Sequence, residues 1–129
     1  MRARRLVAAP VLLLLASSCA GARSSLNTPV SDCFRAISVA DDAVHHGGHL
    51  VGVRHLRADL LVSEAPEAAD LGRRNACAVA YRGEFSASGV TGASGDRSGP
   101  YAVVLVDRRD HLLGSYVVAK LPVTFHLRR

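Results

Sequence analysis

The segment that most constrains this chain is its beginning, Met1 to Ala16, which is built as an address and not as part of a folded core. Met1-Arg2-Ala3-Arg4-Arg5 is strongly basic, and Leu6 to Ala16 is apolar throughout, with leucine at every position from Leu12 to Leu15. As a helix that run reaches only about 16 Å, against a bilayer core of roughly 30 Å. It is too short to span and has the flanks of a secretory signal peptide. Nor does it carry the polar side that a surface helix of a folded domain turns to water. Residues 1–18 are therefore set aside as a signal peptide, and the rest of the chain is expected to fold outside the cytoplasm.

The residues that follow suggest how the segment is cut. Ala16-Ser17-Ser18-Cys19 resembles the lipobox of bacterial lipoproteins, in which the cysteine is acylated and becomes the new N-terminus. Carried over position by position, the resemblance makes Cys19 the lipidated residue, with Ser17 and Ser18 as small residues before it. Ala16 departs from the pattern, since that family most often has Leu there. The resemblance covers about 19 residues and implies a membrane anchor in the cell envelope, not an activity. Ala20-Gly21-Ala22 offers a second site, of the small-residue kind used in ordinary secretion, which would release a soluble secreted protein beginning at Arg23.

Three cysteines leave one over in an exported chain. If Cys19 carries lipid, Cys33 and Cys77 remain to pair as a disulfide in an oxidising compartment. Charge shifts with the same cut. The formal net charge of +5 comes from 16 basic and 11 acidic residues; losing Arg2, Arg4 and Arg5 leaves 13 against 11, or +2. The remaining arginines are scattered in short pairs (Arg73-Arg74, Arg108-Arg109), with no Trp and few aromatics between them. Nucleic-acid binding wants clustered cations and stacking platforms, so no nucleic-acid partner is expected.

With 129 residues, 49% of them hydrophobic, the chain has room for one domain and too much apolar content for disorder. Residues 19–30 are small, polar and Pro-containing, and read as a flexible tether. Residues 31–129 then form a single α+β domain. Ser31 or Asp32 can cap a helix whose apolar stripe is Cys33, Ile37, Ala40 and Val44, flanked by Phe34 and Ala36, with Gly47 and Gly48 ending it. His49 to Val53 suggests a brief strand, followed by a helix around Arg57–Ser63 and a turn of helix opened by Pro66 and stopped by Gly72.

Ala76–Phe85 and Tyr101–Val106 read as strands, the second apolar on both faces. Ser86–Pro100, with glycine at 89, 92, 95 and 99, reads as a long mobile loop. Asp107 to Asp110 forms a polar turn, His111–Leu121 returns as a hairpin partner with a bulge near Gly114, and Val123–Leu127 would be a last edge strand. The expected architecture is an N-terminal helix, plus a short second helix, packed on a three- or four-stranded antiparallel meander, with the helices on one face.

Chemistry-bearing residues are few. His45, His46 and His49 have spacing that could hold Zn or Cu, although histidines at a helix C-terminus also interact favourably with its exposed carbonyls. Asp107, Asp110 and His111 share a turn, where Asp is in any case a favoured residue. The chain has no G-x-S-x-G elbow, no H-E-x-x-H and no phosphate-cradling glycine pattern, so no catalytic residue is assigned. The leading expectation is a small envelope domain, lipid-anchored through Cys19, that binds a protein or small ligand and needs no cofactor. A histidine-cluster metal binder and a small extracytoplasmic enzyme are the alternatives. The turn Asp107, Arg108, Arg109 and Asp110, with the Gly/Ser loop, is the first surface to consider for recognition, because loops on a rigid scaffold carry it.

Overall fold

A computed structural model describes residues 32–126. The signal segment, Cys19, the 19–30 tether and Ser31 lie outside the described residues, as do residues 127–129. The domain is α+β and mostly strand. A 3-10 turn at Cys33–Arg35 leads into α1 (Ala36–Ala43), and strands β1 (His49–Arg57), β2 (Asn75–Ser86), β3 (Ser98–Val106) and β4 (Leu112–Val118) follow. A final helical turn, α2, spans Val123–His126. The strands pair antiparallel in the order β1-β2-β3-β4, each beside its neighbour in sequence.

The two central strands show why the chain is so rich in unbroken apolar runs. Ala76 to Tyr81 and Ala102 to Val106 are buried at every position. In a strand successive side chains point to opposite faces, so such runs require cover on both sides. On one face Cys77, Val79, Tyr81, Val104 and Val106 share a core with Cys33, Ala36, Ala40, Ala43 and Val44. On the other, Ala76, Ala78, Ala80, Val103 and Leu105 meet Ala58, Leu61, Ala65 and Ala68. The second set belongs to two 3-10 turns, Ala58–Leu61 and Pro66–Leu71. Alanines on that face of β2 are short enough to let irregular backbone lie close against it.

Cover therefore comes from both faces, not from one as the sequence suggests. The helix expected at Arg57–Ser63 is instead the end of β1 followed by a 3-10 turn. Val53 and Leu56 are both buried, but they belong to opposite cores. Their three-residue spacing imitates a helical stripe only because the strand is covered on both sides. Pro66 does open a short helical turn, and Gly72, at φ +56°, follows its end.

Neither Gly47 nor Gly48 terminates α1. The His46 amide donates to the Asp41 carbonyl at 2.9 Å and the His45 amide to the Asp42 carbonyl at 3.0 Å, the paired bonds of a Schellman ending. The left-handed position that glycine usually fills is held by His45, at φ 54°, and His46 follows at φ 58°. Asp32 precedes the 3-10 turn without a side-chain capping bond, and Phe34 is 59% exposed instead of flanking the buried stripe.

Two further expectations change in the C-terminal half. The Gly/Ser loop is tied down: the Thr91 amide donates to the Ala43 carbonyl at 2.8 Å, and buried Ser115 donates its hydroxyl to the Thr91 carbonyl at 2.7 Å. Val90 and Ala87 are buried beneath it. The loop thus lies along the outer edge of β4, where Ala93 bridges Ser115. Val123–His126 is a helical turn and not an edge strand. It sits instead near β1, with the Arg54 Nε donating to the Thr124 carbonyl at 3.3 Å. The bulge near Gly114 is present: Leu105 faces Gly114 while Val106 faces Leu112, leaving Leu113 as the extra residue. Among the described residues no helix is long and apolar enough to cross a membrane.

Candidate binding pocket

The β3–β4 turn is built around one carboxylate. Asp107 accepts the backbone N–H groups of Arg109 at 2.8 Å and His111 at 2.9 Å. The His111 N–H, aided by that of Arg109, holds the Asp107 carboxyl below the usual carboxylate range. This local wiring lets Asp110 adopt a left-handed backbone, φ 62°, and the Arg35 Nη2 donates to its carboxylate at 2.5 Å. With Arg35 75% exposed the ion pair is worth at most about 1 kcal/mol. Its consequence is positional: the turn is joined to the residues that open α1.

Between them lies a cavity of about 200 Å³ lined by Asp32, Arg35, His55, Cys77 and Arg108. Four separate segments meet there: the turn that opens α1, β1, β2 and the β3–β4 turn. His55 pairs with Cys77 across β1 and β2, so both side chains stand on the face that carries α1. Cys33 and Cys77 have their Cα atoms 5.3 Å apart and their sulfurs at bonding distance, 2.08 Å, which makes them a disulfide-compatible pair. The His55 Nε2 is buried and has no hydrogen-bond partner among the described residues. A wider depression of about 560 Å³ lies at the β2–β3 end, lined by Gly83–Ser86 and Ser98–Pro100. It is open to solvent and its lining holds one ionisable side chain, Glu84, so it offers less chemistry than the smaller cavity.

The histidine cluster does not converge. The His46 Nδ1 meets the Asp41 carboxylate at 2.5 Å and its Nε2 lies 3.7 Å from that of Asp42. The His45 Nε2 is 3.4 Å from the Thr91 hydroxyl, while His49 stands opposite Arg82 in the sheet. Among the described residues no three His, Cys, Asp or Glu side chains come together to hold a metal ion. His46 instead works as a charge at the helix end: the hydrogen bond to Asp41, and then the charge of Asp41, raise its pKa. The folded protein holds that proton more tightly than the unfolded chain does. His46 therefore stabilises the fold below about pH 6.5, and the contribution is lost as pH rises through its raised pKa. An NMR titration should place the His46 midpoint above about 6.5, and Asp41→Asn should return it toward that value. A midpoint indifferent to Asp41→Asn would contradict this contact.

Of the turn residues named from sequence, Arg108 lines the cavity, Asp110 anchors Arg35, Asp107 organises the backbone and Arg109 is exposed. Arg35 and His55 carry no sequence signal for a site. Arg35 falls on the polar side of a helix, and His55 reaches the cavity only through strand register. The fold and this site define a small α+β domain with a basic pocket beside a cysteine pair. Compared with protein-family models, curated proteins and solved structures, the chain matches none.

Proposed function

We propose that this protein is an exported envelope domain, lipid-anchored through Cys19 and held off the membrane by residues 19–30, that binds a small ligand between α1 and the β3–β4 turn. The observation that carries the binding reading is the cavity lined by Arg35, His55 and Arg108 against the Cys33–Cys77 pair. Concave sites with a few convergent polar groups are where small ligands bind. No serine, threonine or lysine lines this cavity among the described residues, and its one sulfur faces Cys33, which favours binding over nucleophilic catalysis.

Two measurements test the two halves of this reading. Growth with a labelled fatty acid should label the protein and place it in the membrane fraction, and Cys19→Ser should abolish both. Label that persists in Cys19→Ser, or a mature protein that begins at Arg23, would defeat the anchor. A set of small charged and neutral compounds, screened by NMR, should perturb Arg35, His55 and Arg108 with at least one member. A set that leaves all three unmoved would defeat the pocket.

A further inference from the structure

We infer that the cavity takes a small oxyanion, a carboxylate or phosphate group, held by Arg35 and Arg108 with His55 beside it. This rests on the binding reading above and deepens it by naming the ligand chemistry. Three side chains able to donate face a single acid, Asp32, in the lining. The nearby carboxylates are already engaged: Asp110 with Arg35, and Asp107 with two turn amides. Arg108 has no carboxylate within ion-pairing distance among the described residues, and Arg35 spends only Nη2 on Asp110. A guanidinium carries five N–H donors in a planar fork matched to carboxylate and phosphate, so both arginines have donors to offer.

The His55 Nε2 points to the same kind of ligand. Buried polar atoms nearly always find a partner, and one that does not calls for a ligand, a water or an ion. Two guanidiniums at one cavity suit an anion and repel a cation. Size narrows the class further. About 200 Å³ is below the range typical of drug-sized ligands. That admits a compact acid and excludes a nucleotide or an oligosaccharide enclosed whole.

The test uses the protein as the cell processes it, purified in a neutral detergent and followed by NMR at constant ionic strength. Acetate, inorganic phosphate and acetamide are the probes, acetamide being a neutral molecule of the shape of acetate. Acetate or phosphate should shift Arg35, His55 and Arg108 saturably, and the stronger of the two identifies the ligand as carboxylate or phosphate. Arg108→Gln should weaken that binding about tenfold or more while leaving the melting temperature unchanged, since Arg108 is exposed. Acetamide binding as well as acetate would overturn the oxyanion inference and leave the pocket intact. No response to any of the three probes would overturn it too, and the wider compound set then decides the binding reading on its own.

Discussion

Cys33→Ala/Cys77→Ala should melt roughly 15–30 °C below the parent protein. The two residues are 44 apart in sequence, and closing a loop of that length removes unfolded-state entropy equivalent to about 4 kcal/mol. For a domain of this size each kcal/mol shifts the midpoint by about 4–8 °C. Local structure makes the figure credible. α1 has eight residues, far below the length at which an isolated helix is stable in water. Cys33, which is fully buried, joins the start of that helix to β2. Loss of the link therefore also frees Arg35 from its place beside His55, and the oxyanion response should fall with stability. Thermal unfolding followed by circular dichroism, parent against double variant, measures the effect. A difference under about 3 °C would mean that the cysteines are spectators.

Gly48→Ala should cost about 3 kcal/mol, from two causes. Gly48 sits at φ +74°, where any side chain costs about 1–2 kcal/mol. A Cβ there would also come within 2.6 Å of the Phe85 ring and 2.7 Å of the Arg82 carbonyl. That contact is with backbone as well as side chain, so the end of β2 must shift, at a cost typical of overpacking, about 1–3 kcal/mol. Gly72→Ala gives positive-φ strain without a contact, because Gly72 has φ +56° and ψ −137° with nothing within 4 Å of the new Cβ. Urea unfolding should rank Gly48→Ala well below Gly72→Ala, and Gly72→Ala below the parent. A Gly48→Ala midpoint equal to that of the parent would show that neither cause carries energy.

Much of the sheet can be read directly from residues. Ala76 to Tyr81 and Ala102 to Val106 are apolar runs whose burial on both faces is the only use a strand has for them. Asp107 to Asp110 announces its turn through side chains that bond their own backbone. Cys33 and Cys77 are the natural pair if Cys19 carries lipid. Where reading fails, the reason is competition between local and tertiary forces. Val53 and Leu56 imitate a helical stripe because two different cores claim them. Gly47 and Gly48 look like a helix stop, yet His45 takes the left-handed position, helped by the Thr91 and Asp41 contacts around that turn. Val123–His126 has the composition of a strand, but the loop from β2 to β3 already occupies the edge of β4 at Ser115.

By itself, then, the sequence determined strands β2, β3 and β4 and the turn at Asp107 to Asp110, and offered Cys33 and Cys77 as a pair, because each depends on neighbours or on simple counting. The tertiary structure alone decided which faces the short helical turns cover and where a pocket forms. That pocket joins residues 32 and 35, 55 and 108, and no period or spacing connects them. Only strand register, which sets His55 opposite Cys77, and one ion pair, Arg35 with Asp110, bring its lining together.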